Sequence, residues 1–136
     1  MNCFTYGSLM YADIIARVLG RALAGEPAKL DGYRRQAVLG ETYPGLRADA
    51  AAHTSGILYR GLAQAMLERL DRFEGEYYQR IEVEVRTDAG TATFAFVYLF
   101  RSEFAHLLAP HDWDEQAFLN AGKSVFAERY LGFGDV

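Results

Sequence analysis

Leu70-Asp71-Arg72-Phe73-Glu74-Gly75 is the stretch that decides the fold, because a helical pattern ends in it and a strand pattern starts soon after it. Upstream, apolar residues recur with helical spacing, which predicts a helix over residues 63–73 with one buried face. Gly75 provides a left-handed stop for this helix. Over residues 78–87 apolar and charged residues alternate, which is the period of a half-buried strand.

Glu74 falls in the last turn of this predicted helix, where a carboxylate is unfavourable. The C-terminal end of a helix carries partial negative charge, which disfavours an anion by about 0.3–1 kcal/mol. Phe73, Tyr77 and Tyr78 are its neighbours in the sequence, and aromatic surroundings raise the pKa of a carboxyl by desolvation. A residue that violates a local rule is a candidate for function. The competing interpretation is a solvated glutamate at a frayed helix end.

Length and composition limit the class of protein. The 136 residues suit one domain with one core, which we expect to span residues 1–136, and 51% hydrophobic residues indicate a folded chain. A net charge of −4 gives no sign of a nucleic-acid partner. No apolar run approaches the ~20 residues of a membrane span, and the N-terminus lacks the basic segment of a signal peptide. We therefore expect a cytoplasmic protein that binds neither nucleic acid nor a membrane.

Predicted strands alternate with predicted helices along the chain. Strands are expected over residues 1–6, 33–39, 54–59, 78–87 and 91–100. The last two are expected to form a hairpin across Asp88-Ala89-Gly90. Because the strand over 91–100 is apolar on both faces, it fits a central or barrel strand. Strands mixed with helices favour an α+β fold with a mixed sheet.

The remaining segments are predicted as helices and loops. Helices are expected over residues 9–23, 63–73, 102–108, from Asp112 up to an interruption at Gly122, and over 125–131. Gly25, Pro27, Asp31 and Gly32 are predicted loop residues. Residues 40–49 contain the turn signature Tyr43-Pro44-Gly45.

Several kinds of site are disfavoured by the spacing of the residues that would form them. The three histidines share no metal-ligand spacing and the single cysteine, Cys3, stands alone, so we expect no metal site. Around Gly7-Ser8 both the G-x-S-x-G elbow of serine hydrolases and the lysine of a Walker loop are missing. A paired-carboxylate glycosidase stays open, although Glu74 and Glu76 are too close in sequence to be interpreted as a pair.

The junction between the first strand and the first helix, residues 6–10, is a second candidate site. Such a loop presents backbone N–H groups and a helix N-terminus, which suit a carboxylate or a developing oxyanion. A Gly-Ser pair is also a common simple turn, so both interpretations stay open here.

An ordered series of short motifs resembles a known family. The motifs are Phe4-Thr5-Tyr6-Gly7-Ser8-Leu9, Leu30-Asp31-Gly32-Tyr33-Arg34, Tyr43-Pro44, Gly56-Ile57-Leu58-Tyr59, the stretch 70–75 with Tyr78-Gln79-Arg80, and Ala95-Phe96-Val97-Tyr98. Together they resemble the γ-glutamyl cyclotransferase-like superfamily, in its small bacterial branch. The resemblance covers residues 1–100 and continues only loosely, through Trp113 and residues 126–133.

The resemblance implies a fold and a reaction. It implies a small mixed β-barrel, closed or nearly closed, with flanking helices. It also implies a cavity between Glu74 and a loop made of Tyr6, Gly7, Ser8 and Leu9, the 6–9 loop, whose backbone holds a γ-glutamyl group. Glu74 is then the acid/base catalyst, and the α-amine of the substrate attacks its own γ-carbonyl to give 5-oxoproline and a released amine or amino acid. No metal or cofactor is required.

Elementary chemistry is compatible with these roles. An α-amine with a pKa near 8 is mostly protonated at neutral pH and must lose a proton before it attacks. A carboxylate with a raised pKa can accept that proton and return it to the leaving nitrogen. Backbone N–H donors, each contributing about 3 kcal/mol, would stabilise the oxyanion.

Four further side chains have two interpretations. Tyr6, Tyr78 and Tyr98 either line the pocket or are core aromatics with satisfied hydroxyls. Arg80 either binds a substrate carboxylate or pairs with a neighbouring glutamate, and we favour the pairing role.

Three functions are therefore carried forward. The first is cyclisation of a small-molecule γ-glutamyl substrate by a monomer or weak homodimer. The second is a non-catalytic module of the same fold that binds a small metabolite. The third is a hydrolase or acyl transferase that depends on Glu74. The leaving group stays open, because residues 101–136 match the family only loosely.

Overall fold

The computed structural model describes residues 1–130, and its centre is a closed barrel of five strands. The strands are β1 (Cys3–Thr5), β2 (Gly25–Val38), β3 (Pro44–Tyr59), β4 (Tyr78–Thr87) and β5 (Ala92–Phe100). They close in the order β2-β3-β1-β5-β4 and back to β2. Neighbouring strands are antiparallel except β1 and β5, which are parallel. The predicted α+β fold with a mixed barrel is confirmed.

Additional elements lie around this ring. A sixth strand, β6 (Leu108–Asp112), pairs with β2 outside it. The helices are α1 (Ala12–Leu19), α2 (Gln64–Glu74), α3 (Glu115–Ala117) and α4 (Lys123–Tyr130), with a π-helical turn over Phe118–Gly122. Short 3₁₀ turns cover Ser8–Met10 and Ser102–Leu107. No helix within residues 1–130 has the length and hydrophobicity needed to cross a membrane.

The barrel wall separates two hydrophobic cores. The inner core is formed by side chains from all five strands, including Phe4, Leu30, Leu46, Val85 and Val97. The outer core lies between the wall and the helices and includes Ile15, Leu67, Leu70, Phe118 and Phe126. Strand β5 contributes to both cores, which explains why its sequence is apolar on both faces.

The loop prediction for Gly25, Pro27, Asp31 and Gly32 was wrong, because all four lie in β2, whereas the turn predicted within residues 40–49 is present but ends where β3 begins at Pro44. Most of these residues belong to β2 and β3, which form one long antiparallel hairpin with register from Gly25 opposite Tyr59 to Ala37 opposite Pro44. The register shifts between Asp31 and Tyr33, where Gly32 adopts a φ of +84°. That left-handed conformation favours glycine, so Gly32 marks a bulge within a strand.

Several predicted helix boundaries also need correction. The helix predicted over 9–23 is a 3₁₀ turn followed by α1, which ends at Leu19 because Gly20 takes a φ of +74°. Residues 102–107 form a 3₁₀ turn rather than an α-helix. The next helix is capped by Asp114, whose carboxylate accepts a hydrogen bond from the Ala117 N–H, and not by Asp112. The predicted helix end at Leu131 and the motif residue Phe133 lie outside the described residues.

A close approach of β1 and β3 depends on Gly56. A Cβ atom at this position would lie 2.0 Å from the carbonyl oxygen of Thr5 and 2.7 Å from the ring of Phe4. Non-bonded atoms do not approach that closely, so any side chain here must displace β1. Because the 6–9 loop directly follows β1, the same contact also fixes where this loop begins.

We therefore expect Gly56→Ala to lower the free energy of unfolding by about 2–3 kcal/mol through overpacking. Chemical denaturation monitored by circular dichroism measures this change. Ser55→Ala is the matched control, because Ser55 is exposed in the same strand and should unfold within about 0.5 kcal/mol of wild type. Equal stability of the two variants would contradict the packing role of Gly56.

Candidate active site

A cavity opens between the 6–9 loop and the C-terminal end of α2. Its volume is about 340 Å³, including the open mouth. Seven of the eight residues that the sequence singled out contribute to its lining: Tyr6, Gly7, Ser8, Leu9, Glu74, Tyr78 and Tyr98. The fold thus brings the two candidate sites of the sequence, loop and carboxylate, to one cavity.

Glu74 is the acidic group of this cavity. It is the last residue of α2, which stops because Gly75 adopts a φ of +80°. Its carboxylate makes no hydrogen bond or ion pair with another residue in the range 1–130. The side chain keeps partial solvent access, yet the protein around it is dense enough that burial raises the pKa of Glu74 to about 8. The carboxyl can therefore exchange a proton near neutral pH.

The 6–9 loop presents backbone N–H groups that have no backbone partner. Among the backbone hydrogen bonds of residues 1–130, none is donated by the N–H of Gly7, Ser8 or Leu9. The carbonyls of Gly7 and Ser8 accept from the N–H groups of Met10 and Tyr11, at 3.0 and 3.3 Å. The loop carbonyls are thus occupied, whereas its donors are free to bind an anionic or carbonyl oxygen.

Two neighbours hold this loop in place. The Nη1 of Arg35 donates a 2.8 Å hydrogen bond to the Tyr6 carbonyl, and the Arg35 guanidinium lies over the Trp113 ring at 5.1 Å. A side chain on Gly7 would come within 2.8 Å of the Pro44 ring, so only glycine fits against Pro44. Sequence reasoning missed Arg35 as a site residue, and it took Tyr43 and Pro44, which line the cavity, for a turn and a family motif but not for site residues.

The three candidate tyrosines are both cavity walls and satisfied core residues. The hydroxyls of Tyr6 and Tyr78 donate to the carbonyls of Tyr98 and Pro44, at 2.5 and 2.7 Å. The Tyr98 hydroxyl donates to the Asp71 carboxylate at 2.7 Å. Burial raises the pKa of Tyr6 and of Tyr78 well above the usual value, so both phenols stay neutral. Their rings shape the cavity while their hydroxyls bind protein.

Arg80 is the one candidate that the structure does not place on the cavity wall. Its Nε and Nη2 donate to the two oxygens of Asp71, at 2.9 and 3.3 Å, and its guanidinium lies 4.6 Å from the centre of the Phe96 ring. The favoured pairing role thus has a partner, but that partner is an aspartate on α2 rather than a neighbouring glutamate.

Residues 1–130 contain no cluster of three or more histidine, cysteine, aspartate or glutamate residues that could hold a metal ion.

Comparison with known proteins gives consistent results. The family model described as "Gamma-glutamyl cyclotransferase, AIG2-like" matches residues 3–115. Protein AIG2 C of Arabidopsis thaliana is 29% identical over 126 residues, which cover 91% of this chain and 76% of that protein. The superfamily expected from the motifs is confirmed, whereas the small bacterial branch stays a prediction.

Solved structures share the fold. A solution structure of an Arabidopsis thaliana protein superposes with a TM-score of 0.74 at 27% identity, covering 93% of this chain and 77% of the other. A structure of a protein named gamma-glutamyl cyclotransferase gives a TM-score of 0.64 at 21% identity, covering 74% and 66%. At the latter identity the likeness concerns the fold alone.

Because the pKa of Glu74 is raised in the folded protein, ionisation of this carboxyl lowers the free energy of unfolding, and the size of that cost depends on pH. The unfolded chain ionises this carboxyl near its ordinary pKa of 4.5, whereas the folded chain holds the proton up to a pKa of about 8. The cost is therefore absent below pH 4.5, grows between these two values, and is constant above pH 8. We expect Glu74→Gln to raise the free energy of unfolding by about 2–4 kcal/mol at pH 8.5, and by far less at pH 5.

Urea denaturation of both proteins at the two pH values measures this difference. Glu76→Gln is the matched control, since Glu76 is exposed two residues further along the chain and should show no such pH-dependent gain. A gain for Glu74→Gln that is equal at pH 5 and pH 8.5 would show that burial does not shift this carboxyl.

Proposed function

The chain belongs to the gamma-glutamyl cyclotransferase, AIG2-like family, and we propose that it cyclises a γ-glutamyl amine or γ-glutamyl amino acid to 5-oxoproline. The observation that carries this proposal is the pairing of two features across one cavity. Glu74 offers a carboxyl without a protein partner, and the 6–9 loop offers N–H donors without a backbone partner. One feature moves protons, and the other stabilises negative charge on oxygen.

The reaction needs one proton shuttle and no water. Ionised Glu74 accepts a proton from the α-ammonium of the substrate, which frees the amine to attack the γ-carbonyl carbon. The new C–N bond closes a five-membered ring, and the carbonyl oxygen becomes an oxyanion. The N–H groups of Gly7, Ser8 and Leu9 are the donors that would bind this oxygen.

The second half of the reaction returns the proton. Protonated Glu74 donates to the leaving nitrogen, the original amide C–N bond breaks, and the oxyanion collapses to the lactam carbonyl. The ring nitrogen still carries a second proton, which ionised Glu74 accepts and passes to the released amine, so that the amine leaves as an ammonium ion. Substrate and products then have the same total atoms and charge, and Glu74 is regenerated in its ionised form. A carboxyl with a pKa of about 8 suits both steps, because it accepts and donates protons with similar ease near neutral pH.

The proximity of the α-amine and the γ-carbonyl within one substrate molecule supplies much of the remaining rate acceleration. The attacking amine and the carbonyl belong to one molecule, so the protein needs only to hold that molecule folded. The rings of Tyr6, Tyr78 and Tyr98 restrict the cavity for this purpose, and their hydroxyls are held by hydrogen bonds to protein.

The two alternative functions make different demands on the site. A module that only binds an acidic metabolite gains nothing from a second carboxylate in its pocket, so Glu74 argues against it. A hydrolase would use the same carboxyl to activate water and would release free glutamate instead of 5-oxoproline. The identity of the glutamyl product therefore separates the functions.

We expect Glu74→Gln to lower the rate of 5-oxoproline formation by about 10²–10⁴-fold, because glutamine cannot accept or return the proton. Incubation with a panel of γ-glutamyl amines and amino acids, followed by chromatographic assay of 5-oxoproline and glutamate, measures this change. Glu76→Gln should retain wild-type activity, and calorimetry should show that Glu74→Gln still binds substrate. Unchanged turnover in Glu74→Gln would refute the proposed role.

The pH profile provides an independent check. Because the ionised carboxyl is the active base, kcat/KM should rise with pH and level off above a free-enzyme pKa of about 8. Initial rates between pH 5.5 and 9.5, corrected for ionisation of the substrate amine, give this profile. A rate that falls over the same interval would mean that a protonated group does the work.

A further inference from the structure

A second pocket, the outer pocket, adjoins the cavity at Glu74. It has a volume of about 340 Å³, including its mouth. Four residues line both spaces: Ser8, Tyr43, Glu74 and Tyr78. Three aromatic rings line the outer pocket alone: Phe73, Phe126 and Tyr130. The carboxyl of Glu74 therefore stands at the junction between a cavity with free N–H donors and a pocket walled by rings.

These rings form a connected wall. The Phe126 ring lies 5.9 Å from that of Phe73 and 5.0 Å from that of Tyr130, measured between ring centres. Tyr130 in turn meets the ring of Tyr43 edge-on at 5.8 Å. Phe126 is buried, whereas Tyr130 is 43% exposed, so the wall runs from the core to the mouth. A flat apolar group could contact both ring edges and ring faces here.

Tyr130 is fixed although it is exposed. Its hydroxyl donates a 2.7 Å hydrogen bond to the Glu41 carboxylate, and Glu41 also pairs with Arg129 at 3.6 Å. The aromatic wall is thus organised before a ligand binds, which lowers the entropic cost of binding one.

The charges of the outer pocket are as informative as its rings. Of the described residues that line it, none is lysine, arginine or histidine, and its one carboxylate is Glu74. A leaving group that carries a carboxylate would therefore meet no cation among the lining residues, since Arg129 beside Tyr130 is paired with Glu41, and it would be repelled by Glu74 when that residue is ionised. A leaving group without a carboxylate meets no such penalty.

We propose that the outer pocket is the leaving-group subsite and that it takes the aromatic ring of an amine that carries no carboxylate. This inference rests on the proposed cyclisation. The γ-glutamyl part lies in the inner cavity against the 6–9 loop, and the scissile amide lies at Glu74, where the two spaces meet. The bond that breaks joins the γ-carbonyl carbon to the nitrogen of an arylalkyl amine, and that nitrogen receives the proton from Glu74.

Three substrates test the chemistry of the subsite. γ-Glutamyl-phenethylamide has the ring and no carboxylate on its leaving group, γ-glutamyl-phenylalanine differs from it by one added carboxylate, and γ-glutamyl-methylamide has no ring. We expect kcat/KM for γ-glutamyl-phenethylamide to exceed both others by about tenfold or more.

Two variants test the location of the subsite. Tyr130→Ala removes a ring at the exposed end of the wall and should lower kcat/KM for γ-glutamyl-phenethylamide by about three- to tenfold. It should change the value for γ-glutamyl-methylamide by less than about twofold. The matched control is Phe94→Ala, because Phe94 is a 62% exposed aromatic on β5 that does not line the pocket. It should leave both values unchanged.

The outcomes separate this inference from the proposed function. Turnover of γ-glutamyl-phenylalanine or γ-glutamyl-methylamide that equals or exceeds that of the phenethylamide would overturn the subsite alone. An equal loss on all substrates in Tyr130→Ala would also overturn it. If none of the three yields 5-oxoproline, the proposed function fails, and calorimetry of the same ligands then decides the subsite. Tighter binding of γ-glutamyl-phenethylamide that Tyr130→Ala weakens supports it, and equal binding of all three overturns it.

Discussion

The carboxylate of Asp71 connects α2 to the barrel, and the geometry of the site depends on that connection. It accepts two hydrogen bonds from Arg80 on β4 and one from the Tyr98 hydroxyl on β5. The side chains of Arg80 and Asp71 keep 23% and 39% of their exposure, so this ion pair contributes little net stability. The contribution of the Asp71 carboxylate is to position α2, because three hydrogen-bond donors on two strands hold one turn of this helix in place. Glu74 is the next residue on that face, and the structure gives it no partner within residues 1–130.

The opposite wall of the cavity is held by contacts of a different kind. Backbone packing at Gly56 fixes the end of β1, and the Arg35 guanidinium donates a hydrogen bond to the Tyr6 carbonyl. The ring of Pro44 lies so close to Gly7 that only glycine fits at that position. The Tyr78 hydroxyl donates to the Pro44 carbonyl, which ties that proline to β4. Donors positioned in this way need no reorganisation when charge develops on a bound oxygen, and this is the condition under which they stabilise it most.

The sequence predicted what depends on neighbours in the chain and missed what depends on distant partners. Periodicity and Gly75 were enough to find α2, β4 and β5, because both signals are local. The long hairpin was missed because its strands pair residues as far apart as Gly25 and Tyr59, and because its glycine and proline resemble a loop. Barrel closure came only from the family resemblance, and the parallel pairing of β1 with β5 was not predicted. Arg80 on β4 pairs with Asp71 on α2, and the spacing of residues in the sequence does not predict contacts between a helix and the strand that follows it.

The burial that makes Glu74 costly also matches it to its proposed task. An amine and a carboxylic acid ordinarily differ by about four pKa units, so proton transfer from an ammonium to a free carboxylate is strongly uphill. In this cavity burial raises the pKa of Glu74 to about 8, which is close to the pKa of an α-ammonium. The proton can then move either way at little cost, which a single shuttle needs because it must first accept and then donate. Aromatic rings of the outer pocket lie beside Glu74, so the burial of this carboxyl and the proposed leaving-group subsite share side chains.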